Sequence, residues 1–192
     1  ILFSVLYVSS ASAELGVNVG VSGNAGLFTA SANEKFDDSP NTSTNQNGSE
    51  HGEAVWPSIF IEKTLGDVLF VGVDYVPAAL ETETAESARS DKRTANSDAV
   101  TASTNKIQVD FEDLTSAYLG VSMGNFYAKV GMMTVEVITN ENLGTGGAYG
   151  NTSLDGTLLA VGMNRELDNG AFVRLEGTVM EFDGVELTNT ND

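Results

Sequence analysis

The chain has 192 residues, no cysteine, nine basic and 27 acidic residues, and a net charge of −18. That length allows one domain with a sizeable core, and the lack of cysteine excludes disulfides, thiolate metal sites and a cysteine nucleophile. So acidic a surface repels nucleic acid and gives no basic hold on anionic lipid.

Residues 1–8 are apolar and lead into Ser9, Ser10 and Ala11-Ser12-Ala13, the small-residue pattern after which signal peptidase cleaves. Residues 1–13 therefore read as the remnant of a secretory signal peptide whose basic start precedes Ile1. The alternative is an N-terminal strand, because Ile, Phe, Val and Tyr are good strand formers.

From residue 15 to residue 27 the chain alternates. Leu15, Val17, Val19, Val21, Ala25 and Leu27 share one face, and Gly16, Asn18, Gly20, Ser22, Asn24 and Gly26 share the other. This two-residue period predicts a first strand with unlike solvents on its two sides. Residues 33–53 are rich in Asn, Ser, Thr, Asp and Gly and predict a long polar loop. A second strand is predicted over 54–65, with Val55, Ile59 and Ile61 opposite Trp56, Ser58, Phe60 and Glu62. Gly66-Asp67 forms a tight turn into a third strand over 68–76, where Leu69, Val71, Val73 and Tyr75 oppose Phe70, Gly72 and Asp74.

A second polar segment covers 77–105, and its Ala, Glu and Arg content over 79–93 suits a short helix. The fourth strand is predicted over 106–123. Ile107, Val109, Phe111, Ala117, Leu119, Val121 and Met123 are expected on one face, and Gln108, Asp110, Glu112, Ser116, Tyr118, Gly120 and Ser122 on the other. Asp113 and Thr115 interrupt the apolar row, which marks a bulge or the point where the strand leaves its apolar surroundings. Gly124-Asn125 turns into a fifth strand over 126–138 that places Lys129 on the polar face. After a glycine-rich loop, 139–155, come a sixth strand over 156–167, the turn Asp168-Asn169-Gly170, and a seventh strand from Ala171 that puts Arg174 and Glu176 on the polar face.

The connections alternate long, short, long, short, long, short, so an up-and-down meander would gather all the long ones at one end. No apolar run of about eighteen residues occurs, so no transmembrane helix is predicted, but a barrel escapes that test because only alternate residues face lipid. The expected fold is an all-β, antiparallel, up-and-down transmembrane β-barrel with seven strands visible of eight, occupying 14–192. Its polar face mixes glycine with charges of both signs, Asp74, Asp110, Glu112, Lys129, Arg174 and Glu176. A water-exposed face would carry fewer glycines and more long charged side chains, so these six are expected inside, with Lys129 and Arg174 bridging to carboxylates. Of the aromatics near strand ends, Tyr75 and Phe126 suit an interfacial girdle, whereas the alternation turns Trp56 and Phe172 inward.

The signal ending Ala11-Ser12-Ala13, the glycine-rich strand Leu15-Gly16-Val17-Asn18-Val19-Gly20-Val21, the acidic loops and the Gly-Asp and Asp-Asn-Gly turns together resemble the small outer-membrane β-barrel proteins of Gram-negative bacteria, the opacity-protein and OmpA-type class. The likeness is architectural and covers residues 1–187. It implies an outer-membrane location, lipid as the principal partner and surface ligands met through loops. It also implies a last strand ending in an aromatic. Thr188-Asn189-Thr190-Asn191-Asp192 reads instead as the start of a fourth long loop, so an eighth strand is expected beyond it.

Little catalytic chemistry is legible. His51 is the only histidine and lies beside Glu50 and Glu53, without a partner set for zinc or a nucleophile. Asp37, Asp38, Glu50 and Glu53 offer hard oxygen ligands for calcium but lack EF-hand spacing. The run from Gly144 to Gly150 departs from a dinucleotide loop at Tyr149 and precedes no helix. The sequence therefore points to a non-enzymatic outer-membrane barrel, without cofactor or metal, acting in envelope structure or surface contact. A small porin-like or gated channel is the alternative, and a periplasmic lipocalin-like ligand-binding barrel a further one.

Overall fold

Alternating apolar and small or polar residues favour strands because successive side chains leave a pleated backbone on opposite sides. The computed structural model describes residues 2–6, 16–39, 42–92, 100–143, 148–168 and 170–188, and among these there is no helix. The strands are β1 (Leu2–Leu6), β2 (Val17–Ser39), β3 (Thr42–Leu65), β4 (Leu69–Tyr75), β5 (Leu80–Glu81), β6 (Ala85–Lys92), β7 (Val100–Met123), β8 (Phe126–Asn142), β9 (Thr152–Glu166) and β10 (Phe172–Phe182).

All pair antiparallel in one curled, barrel-like sheet. Around it the neighbours run β1, β2, β3, β4, β7, β8, β9, β10 and back to β1, while the short β5 and β6 lie along β7 beyond the end of β4. The pairing is staggered. From Gly120 the partners run one way through Lys129, Ala160, Thr178 and Leu2 to Gly26. The other way they pass Phe70 and Thr64, whose amide donates to the Gly16 carbonyl at 2.8 Å. The two routes reach the same stretch of chain ten residues apart, at Gly26 and Gly16. Such a stagger tilts strands relative to the axis they surround.

The tight turns lie at one end. Gly66 and Gly124 take φ of 69° and 63° there, a region a side chain rarely adopts, which is why a short reversal uses glycine. At the other end β2 and β3 continue as a two-stranded ribbon paired as far as Ser39 and Thr42, and β6 pairs with the start of β7 as a second. Within the expected loop over 33–53, residues 33–39 and 42–53 are thus paired strands, and of the segment considered for a helix, 79–93, Leu80–Glu81 and Ala85–Lys92 form β5 and β6. Polar composition denies these segments a core, but a ribbon that grows from an existing sheet needs only its backbone ladder.

Leu2–Leu6, inside the segment 1–13 read as a signal remnant, pairs as a strand with β2 and β10. The strand propensity of this apolar run accounts for its pairing. Ala11-Ser12-Ala13 lies outside the described residues.

The interruption at Asp113 is a bulge. Glu112 faces Glu136 and Thr115 faces Thr134, so Asp113 and Leu114 stand against Val135 alone, and Asp113 takes a φ of 53°. The Leu114 carbonyl accepts from the Val76 amide at 2.9 Å, and the Tyr75 hydroxyl donates to Asp113 Oδ1. One extra residue reverses the alternation of everything beyond it.

Candidate functional site: the charged interior

Burial is inverted relative to a water-soluble sheet. Glu62 and Arg174 are 2% and 3% exposed, whereas Val55 and Met132 are 80% and 72% exposed. Trp56 and Phe172 are buried, as the alternation predicts, and Phe126 stands exposed on the outer face.

Rings fill much of the interior, and glycines make room for them. Phe70 lies against Gly120, its direct cross-strand partner, where an added Cβ would fall 2.0 Å from the ring. Tyr118 covers Gly72 and Tyr127 covers Gly162 in the same way, again between direct partners. Glycine on the inner face therefore marks close approach of a ring to the wall. The Phe70 ring meets Tyr118 and Tyr127 edge-on at centroid distances of 6.3 and 5.9 Å.

Two ion pairs sit among these rings. Arg174 donates to Glu62 through Nη1 and Nη2 at 2.6 and 2.9 Å, and through Nε to Asn164 Oδ1 at 2.8 Å. Tyr118 OH donates to Glu62 Oε1 at 3.0 Å. The guanidinium also lies 4.7 Å from the centroid of the Tyr127 ring and 5.2 Å from that of Phe172. Lys129 Nζ pairs with Glu176 Oε2 at 2.9 Å and sits 4.2 Å over the Tyr118 ring. Glu176 also accepts from the Tyr127 hydroxyl and, at 2.9 Å, from Thr178 Oγ1. These neighbours supply the hydrogen bonds that a buried ion pair needs to offset its desolvation.

Asp74 belongs to the same interior. Ser58 Oγ donates to Asp74 Oδ2 at 2.9 Å. That uses the single Ser58 hydrogen, so in the contact between Ser22 and Ser58 the Ser22 hydroxyl is the donor. The Asn24 amide lies 3.3 Å from both hydroxyl oxygens.

Four of the six charges expected inside, Asp74, Lys129, Arg174 and Glu176, thus border one interior cavity. Asp110 and Glu112 do not. Beyond the bulge the even residues of β7 share the outer face: Glu112 stands opposite the exposed Glu136, and Asp110 opposite Ile138, tied to Asn140 Nδ2 at 2.6 Å and Gln108 Nε2 at 3.0 Å. Phe111 and Val109 correspondingly turn to the side of Val137 and Thr139, away from the apolar band in which the unbroken alternation would place them. The residue missing from the six is Glu62. Its position between Phe60 and Thr64 on an inward strand is a signal for it, but its partner lies 112 residues away.

The remaining candidates stay apart. His51 is exposed on the β2–β3 ribbon opposite Thr29, and Glu53 is exposed two residues on. The side chains of Asp37, Asp38 and Glu50, and residues 144–147, lie outside the described parts. Among the described residues no group of three His, Cys, Asp or Glu side chains is placed to hold a metal. Comparison with protein-family models, curated proteins and solved structures found no match.

Proposed function

We propose that the chain is a non-enzymatic outer-membrane β-barrel of eight strands, seated in lipid by its outward apolar face and acting in envelope structure or surface contact through its two polar ribbons. The observation that carries this reading is the inverted burial, with Glu62 and Arg174 enclosed and Val55 and Met132 outside. In water such an outer face is a liability, and in hydrocarbon it is the favourable one. The circuit of eight pairings and its ten-residue stagger support a tilted barrel whose bore is just wide enough for side chains.

The ribbons fit the surface role. They extend beyond the end opposite the tight turns and carry the polar, acid-rich segments, as the longer extracellular loops of such barrels do. The bulge at Asp113 supports a membrane boundary at that level, because the outer face changes there from Leu119 and Ala117 to Glu112 and Asp110.

Between this reading and a porin-like one, the interior favours a plug. The Glu62–Arg174 pair ties β3 to β10, the Lys129–Glu176 pair spans β9 from β8 to β10, and packed rings lie among them. A lipocalin-like barrel would need its apolar side chains inside, where these charges stand. Expression with fractionation tests the proposal: the protein should require detergent for extraction, migrate differently on gels before and after boiling, and give no steady conductance in planar bilayers. Recovery in buffer without detergent would overturn the membrane reading, and a steady open-channel conductance the plugged one.

A further inference from the structure

A cavity of about 20 Å³ lies in the charged interior, lined by Ser22, Asn24, Asp74, Tyr118, Lys129 and Glu176 among others. One water needs about 10–15 Å³ measured in this way, and two to four polar partners. We propose that the cavity is a binding site for a single water molecule that joins the Asp74 carboxylate to the Lys129 ammonium.

Among the described residues, the interior holds three carboxylates, Glu62, Asp74 and Glu176, against two cations, Lys129 and Arg174. Arg174 is committed to Glu62 through both terminal nitrogens, and Lys129 makes its direct ion pair with Glu176. Asp74 receives one hydrogen bond, from Ser58, on Oδ2. An ammonium carries three donors; that of Lys129 spends one on Glu176 and lies over the Tyr118 ring, and it borders the cavity whose wall includes Asp74. A water there accepts from Lys129 and donates to Asp74, so one cation serves two carboxylates. Ser22, Asn24, Phe60, Tyr118, Arg174 and Glu176 complete its surroundings.

Two measurements test this site. A crystal structure of the detergent-solubilised protein that resolves ordered water should show one water within hydrogen-bond distance of both Asp74 and Lys129 Nζ. A dry cavity, or direct contact between Asp74 and Lys129, overturns the proposal. Independently, urea unfolding of Asp74→Asn, Lys129→Met and the double variant should give a midpoint loss for the double smaller than the two single losses added, because Lys129→Met strands Asp74 only while its charge is present. Additive losses overturn the shared-water link. If Lys129→Met does not fold, the crystallographic test on the natural protein still decides.

Discussion

Glu62 and Arg174, 112 residues apart in the chain, meet as a bidentate pair at 2.6 and 2.9 Å inside the sheet, with the Tyr118 hydroxyl on the carboxylate and the Asn164 side chain on the guanidinium. The pair links β3 to β10 across the bore. Breaking one side of it leaves a charge enclosed with no counter-charge in contact. Arg174→Met should therefore destabilise the fold by about 3–5 kcal/mol. Glu62→Gln combined with Arg174→Met should recover part of that loss, since no charge is then stranded. Trp56, the only tryptophan and a buried one, reports both in urea unfolding followed by fluorescence.

The ring-over-glycine contacts give a second prediction. Gly120→Ala places a methyl carbon where the Phe70 ring now lies, and the ring has Tyr118 and Tyr127 against its other sides. The cost should be about 1–3 kcal/mol, the range for overfilling a packed interior. Gly66→Ala meets nothing within 4 Å, so its cost should come from the backbone at φ 69° alone. Comparing the two variants by the same unfolding assay separates crowding from backbone strain.

The reversal of faces at the bulge is open to chemical labelling, because the chain has no native cysteine. Under the proposed membrane boundary at the bulge, Glu112→Cys, on the outer face beyond it, should react with a water-soluble, membrane-impermeant maleimide on intact cells. Leu119→Cys, on the outer face below the bulge, should stay unlabelled while the membrane is intact. Equal labelling of the two would contradict the assigned boundary.

Across the ladder Glu112 faces Glu136, a like-charge pair on one face. Glu112→Lys converts it to an opposite-charge pair and should stabilise by about 0.2–1 kcal/mol. Were position 112 inside, the same change would add a cation to the enclosed network and alter stability by more than this.

Much of the architecture is legible because the period of two is a local property. The row of Val19 and Val21, the inward Trp56 and Phe172, and the inward Lys129 and Arg174 all follow from counting along one strand. What lies beyond local counting is different in kind. Asp113 shows where β7 is interrupted, but whether one residue or two are inserted depends on the partner strand, and that number decides on which face Asp110 and Glu112 stand. The pairing of Glu62 with Arg174 depends on the curl that brings β3 and β10 across from each other. The β2–β3 ribbon escapes a reading based on burial because its pairing uses the backbone, on which side-chain polarity is silent.

If the outward apolar face meets lipid as proposed, a tryptophan placed on it lies in hydrocarbon. In a Trp56→Phe background, Val130→Trp puts the only tryptophan in the middle of that face, where Val130 is 56% exposed. In vesicles whose acyl chains carry bromine, its fluorescence should be strongly quenched, while Trp56 in the natural protein should be little affected. A Val130→Trp protein that folds with these vesicles and shows no quenching, or stays in the aqueous phase, would contradict the account.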